Sequence, residues 1–167
     1  MPGSPSQGSP KNMAARRKRS KKPSAGSAHS LSPSPPDEFV LYLDENLCNT
    51  RAILGILTKL GVPFERHLAH FSPGTLDEVW LPLVGSKGWI LLTSDKRIRY
   101  NLLEKRALKV HAVREFVFTS GNMSGQDMAA ALELALNKMR NFCRRTKPPF
   151  VASITRTGEV YLRWPKD

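Results

Sequence analysis

The chain has 167 residues and a formal charge of +12, from 26 Lys plus Arg against 14 Asp plus Glu; that is enough chain for one domain with a real core, and the excess of positive charge points to an anionic partner, above all nucleic acid. Cys48 and Cys143 are the two cysteines and no Cys-x-x-Cys is present, which argues against a disulfide framework and a cysteine-type zinc site. No apolar run approaches the ~18 residues of a membrane span and none follows the first basic residues as in a secretory leader, so a soluble, cytoplasmic protein is expected.

Residues 1–36 are rich in Ser, Pro and Gly and nearly free of large apolar side chains. They cannot bury enough surface to offset ordering entropy, and a disordered basic tail is expected there, with one domain over 37–167. The tail contains Arg16-Arg17-Lys18-Arg19-Ser20-Lys21-Lys22, read first as a solvated basic tail and second as a nucleic-acid-gripping arm or, in a eukaryote, a nuclear localisation signal. Residues 1–37 and 38–167 each carry a net +6, so the domain is basic on its own account.

Phe39 to Leu43 reads as a buried strand ending on Asp44-Glu45-Asn46. Ile53, Leu54, Leu57 and Leu60 have helical spacing, and Gly61 stops that helix. Val62 to Arg66 is a short second strand, and Leu68 to Gly74 a loop. Thr75 is placed as the N-cap of a helix from Leu76 to about Val84, with Asp77 and Glu78 in its first turn. Trp89 to Leu92 is a third buried strand, with Asp95 just beyond it. A short helix to Leu108 and a strand from Arg114 to Thr119 follow. Ser124 opens a long helix with Asp127 three residues on, and Met128, Leu132, Ala135, Leu136, Met139 and Phe142 line one face. Phe150–Ile154 and Glu159–Trp164 form a final β-hairpin around Thr157-Gly158. This alternation predicts an α/β domain with a mostly parallel central sheet flanked by helices.

In such a sheet, sites form at the carboxyl ends of strands. Asp44 and Asp95 leave two strand tips, and Asp77 and Glu78 open a helix near by. Carboxylates gathered in this way repel one another unless a cation neutralises them, and an all-oxygen ligand set suits Mg²⁺ or Mn²⁺.

Leu43-Asp44-Glu45-Asn46, Asp77-Glu78-Val79-Trp80 and Leu91-Leu92-Thr93-Ser94-Asp95-Lys96 together resemble the PIN-like nuclease domains, in particular compact bacterial proteins that include the VapC-type toxins. The resemblance covers roughly residues 39–120. It implies a Mg²⁺- or Mn²⁺-dependent endoribonuclease, with RNA as substrate and a cognate antitoxin as partner; a homo-oligomer is left open. Asp44, Asp77 and Asp95 match the family's acidic positions and are the expected metal ligands. Glu45 and Glu78 are expected to orient a ligand or the attacking water, and Lys96, Arg97 and Arg99 to grip flanking phosphates. The family's further Glu has only Glu45 and Glu65 as candidates here.

Taken singly, each acid has a plainer reading: Asp77 and Glu78 as complements of a helix dipole, Asp95 as a turn residue. His67 and His70 are read as structural or solvent-facing, since zinc would need more N or S ligands than this region offers. The alternative function is a catalytically weakened PIN-like nucleic-acid-binding or adaptor module; a receiver-like phosphoacceptor domain fits less well.

Overall fold

Six strands form one sheet in the order β2-β1-β3-β4-β5-β6. The computed structural model describes Gly3 and residues 38–95, 102–119 and 122–165. The tail expected over 1–36 therefore lies, apart from Gly3, outside the described residues, as do Lys96, Arg97 and Arg99. The strands are β1 (Leu41–Leu43), β2 (Phe64–Arg66), β3 (Ile90–Thr93), β4 (Arg114–Phe118), β5 (Phe150–Ile154) and β6 (Val160–Trp164). All neighbours pair parallel except β5 and β6, which close the expected antiparallel hairpin. The domain is thus α/β with a mostly parallel sheet.

The helices are α1 (Arg51–Lys59), α2 (His67–His70), α3 (Asp77–Lys87), α4 (Leu102–Val110) and α5 (Gly125–Arg145). They cover both faces of the sheet. On one face Ile53 and Leu57 of α1 and Leu132, Ala135 and Met139 of α5 pack with Leu41, Leu43, Leu92 and Phe116. On the other, Trp80, Leu81 and Val84 of α3 and Leu108 of α4 pack with Tyr42, Leu91, Val117 and Val151. The near-continuous apolar strands follow from this double burial. No helix among the described residues is long and apolar enough to cross a membrane.

Two local expectations change. The N-cap of α3 is Leu76, with no side-chain cap, because the Thr75 hydroxyl instead donates to the Ser72 carbonyl at 2.7 Å. The helix also runs on to Lys87 and stops at Gly88, whose φ of 65° is left-handed. The segment read as loop from Leu68 contains α2; four residues are too short to show a helical period. The long helix is capped as expected: the Ser124 hydroxyl accepts from the Asp127 N–H at 3.1 Å, and the Asp127 carboxylate accepts from the Ser124 N–H at 3.0 Å.

Candidate active site

The strand order places a switch point between β1 and β3. From β1 the chain passes through α1 on one face to β2 at the sheet's edge, and from β3 through α4 on the other face towards β4. Connections that diverge in this way open a crevice at the carboxyl ends of the two strands. Leu43 pairs with Leu92, so the tips lie level, and the Asp44 amide extends the ladder to the Leu92 carbonyl at 3.3 Å.

A cleft of about 120 Å³ lies at this edge. It is lined by Asp44, Glu45, Asn46, His67, Thr75, Asp77, Trp80, Leu91, Thr93, Asp95 and Glu104. Asp44, Asp77 and Asp95, from three separate elements, all line this cavity.

Asp44 is the most constrained of the three. Its Oδ1 accepts from the Leu47 N–H at 2.9 Å, and its Oδ2 accepts from the Asn46 amide at 3.4 Å and from the Thr93 hydroxyl. Burial raises its pKa; these hydrogen bonds oppose the rise, and the charge of Asp95 adds to it. Burial likewise raises the pKa of Asp77, against a hydrogen bond with the Trp80 side chain, and again Asp95 adds to the rise. Asp95 thus acts on both Asp44 and Asp77.

The back wall is aromatic. Tyr42 stacks on Trp80 and Trp89, with ring centroids 5.5 and 5.7 Å away. Its hydroxyl lies 2.9 Å from Nδ1 of His67. Burial drives the phenol's pKa up, so it stays neutral and can donate that bond. His67 is itself buried, and its Nε2 has no hydrogen-bond partner among the described residues. Sequence reasoning set His67 aside as structural; it lines the cleft as well.

The glutamates separate. Glu45 lines the cleft, and its carboxylate accepts from the Gly74 N–H at 2.9 Å, bracing the loop that leads into α3. Glu78 is exposed and lines a neighbouring groove with Leu103, Arg106 and Val110, while Asp77 reaches both cavities. Glu65 pairs with Nε2 of His70 at 2.8 Å and is not among the lining residues. Thr93 and Glu104 join the site without having been singled out. Thr93 was hidden at the end of an apolar run, and Glu104 within a helix of weak pattern.

Residues 39–120 match the family model of the PIN like domain. No curated protein and no solved structure matches the chain. Domains of the PIN-like family generally have nuclease activity and typically use divalent metals. The matched segment holds β1 through β4 and every residue lining the cleft.

Among the described residues, no three His, Cys, Asp or Glu side chains converge closely enough to form a ready-made metal site. Five carboxylates line the cleft. The donors are oxygens. This chemistry fits a hard divalent ion that keeps part of its water shell and reaches some carboxylates through it, better than a closed protein cage.

Proposed function

We propose that the protein is a metal-dependent endoribonuclease of the PIN-like type. The observation that supports it most directly is the meeting of Asp44, Asp77 and Asp95, from three separate elements, in one cleft at the β1–β3 switch point of a basic protein. Mg²⁺ or Mn²⁺, when bound, supplies Lewis acidity toward the scissile phosphate and a water of lowered pKa. Asp44 offers a carboxylate already fixed by Leu47, Asn46 and Thr93, so little ordering remains to be done on binding. Asp95 and Asp77 complete the negative rim. Glu45 acts mainly by holding the Gly74 loop in place, and Glu78 lies on the neighbouring groove outside the cleft. Lys96, Arg97 and Arg99 follow Asp95 directly in sequence and supply phosphate contacts, and the basic tail adds salt-dependent grip.

In its finest form the reading is the toxin of a toxin–antitoxin pair, with a cognate antitoxin as partner. That form rests on the motif resemblance alone. The second reading, a nucleic-acid-binding or adaptor module with weakened catalysis, draws on the lack of a converged ligand set among the described residues. One experiment separates the readings: single-stranded RNA incubated with the full chain in Mn²⁺, in EDTA, and with Asp95→Asn. Cutting that needs Mn²⁺ and Asp95 supports the nuclease; retained binding with no cutting under any condition supports the adaptor.

A further inference from the structure

His67 brings to the cleft a hydrogen-bonding nitrogen that the described residues leave unmatched. It follows β2 directly, and Leu43 pairs with Arg66, so His67 stands level with Asp44 at the carboxyl edge of the sheet. It is 1 % exposed and lines the cleft. Phe71 and Trp80 pack against the ring, each with its centroid 5.6 Å away.

The Tyr42 hydroxyl decides which ring nitrogen carries the proton. Its oxygen lies 2.9 Å from Nδ1. When the phenol donates, its own proton is satisfied and the ring proton sits on Nε2. The reverse arrangement leaves a buried phenolic O–H and a bare Nε2 both unmatched among the described residues, and each such group is costly. Nε2 therefore presents an N–H, and no described residue accepts it. The other side-chain donors of the lining are engaged: Asn46 and Thr93 with Asp44, Trp80 with Asp77, and Thr75 with the Ser72 carbonyl. Ionised carboxylates can only accept. An anionic group entering the cleft thus meets one described lining donor that has no partner, His67.

We propose that His67 is a substrate-binding residue of the cleft, whose Nε2–H donates to a non-bridging oxygen of the phosphodiester being cut. Such an oxygen is purely an acceptor and matches a lone donor. The ring is already held by Tyr42, so the bond forms with little further ordering, and it forms away from bulk water, where it is stronger. The role needs no proton transfer: the proton stays on Nε2 throughout. This inference rests on the nuclease reading above.

The test uses the full chain, Mn²⁺ and a single-stranded RNA whose cut position has been mapped with the parent. The same RNA is then made with sulfur in place of either non-bridging oxygen at that position, since sulfur accepts hydrogen bonds poorly. His67→Phe keeps an aromatic ring and removes the donor; His67→Gln puts an amide N–H near the place of Nε2. The expected result is a folded His67→Phe whose kcat/KM falls about tenfold or more, with part of the loss restored in His67→Gln. One sulfur isomer should slow the parent and should not slow His67→Phe any further. Parent-like kcat/KM in folded His67→Phe overturns the role of His67 and leaves the nuclease reading standing. A sulfur effect that is absent from the parent, or undiminished in His67→Phe, does the same. Failure of both variants to fold also overturns it, because the ring is then a packing element. If the parent chain cuts no RNA, the nuclease reading falls, and this inference with it.

Discussion

The Thr93 hydroxyl donates to Oδ2 of Asp44 across the β1–β3 pair, while its oxygen accepts from the Asp95 N–H at 2.9 Å. One buried side chain thus ties the two strand-tip acids into a single hydrogen-bonded unit. The unit fixes Asp44 and offsets part of what burial costs it.

Thr93→Val keeps the shape and removes the hydroxyl. Asp44 loses one donor, and the Asp95 amide loses its acceptor. A loss of about 1–2 kcal/mol in urea unfolding is expected, the usual range for one buried hydrogen-bonding group. RNA cleavage should fall further than stability does, because the carboxylate loses its fixed position. Thr93→Ser restores the hydroxyl and should restore cleavage. Full cleavage by the valine variant would leave Thr93 with a packing role only.

The pH dependence of stability has a definite sign. Asp44, Asp77 and Glu115 all have folded-state pKa values above the ordinary carboxylate range, with burial the largest cause in each. Each binds its proton more tightly in the folded chain. The stability this provides is full below the ordinary range, near pH ~4, and is lost as pH rises through the folded pKa. Asp127 runs the other way: its hydrogen bonds with Ser124 lower its pKa, so its contribution is lost as pH falls through that lowered value. Without divalent cation, the melting temperature should therefore rise as pH falls from neutral toward the ordinary carboxylate range. Mn²⁺ at neutral pH should raise it and flatten the slope, and Glu115→Gln should flatten the slope without any cation. A melting temperature that fell steadily over this range would contradict the crowded-acid description.

Apart from Glu104, the acids that line the cleft stand out in the sequence, and its other lining residues do not. Asp44 and Asp95 announce themselves because apolar strands end on them, and Asp77 because it opens a helix. Asp77 and Glu78 could not be separated by sequence, since adjacent helical residues point about 100° apart and only the docked helix decides which faces the cleft. His67 belongs to a helical turn too short for any periodic signal. The fold was more legible than the site, because burial on both faces writes itself into β1, β3, β4 and β5 as near-continuous apolar runs.

Gly85 marks a second constraint on the site, this one steric. A Cβ added there would lie 2.1 Å from the His111 carbonyl oxygen, so α3 rests on the chain just after α4 through a bare backbone. Gly85→Ala must push these segments apart, and a cost of about 1–3 kcal/mol is expected in denaturant unfolding. Asp77 and Glu104 sit on the two displaced helices, so cleavage should drop as well. Parent-like stability would mean that the α3–α4 packing yields easily.

Asp95→Asn separates a metal-binding acid from a turn residue. Asparagine keeps the shape and the backbone N–H that Thr93 accepts, and removes one negative charge. Asp95 raises the pKa of both Asp44 and Asp77, so its neutralisation relieves repulsion in the cation-free protein. The variant should then melt at or slightly above the parent temperature without Mn²⁺, gain little from added Mn²⁺, and cut RNA far more slowly. As a turn residue, asparagine would serve equally well and every one of these readouts would match the parent. Ser124→Ala is the control. It removes the α5 N-cap at a cost of about 1 kcal/mol, outside the cleft lining, and should leave both the Mn²⁺ response and cleavage unchanged. A less stable but active Ser124→Ala beside a stable but inactive Asp95→Asn would assign the loss to charge at the cleft and not to folding. An Asp95→Asn protein that keeps its Mn²⁺ response and cuts at the parent rate would remove Asp95 from the site and most of the nuclease reading with it.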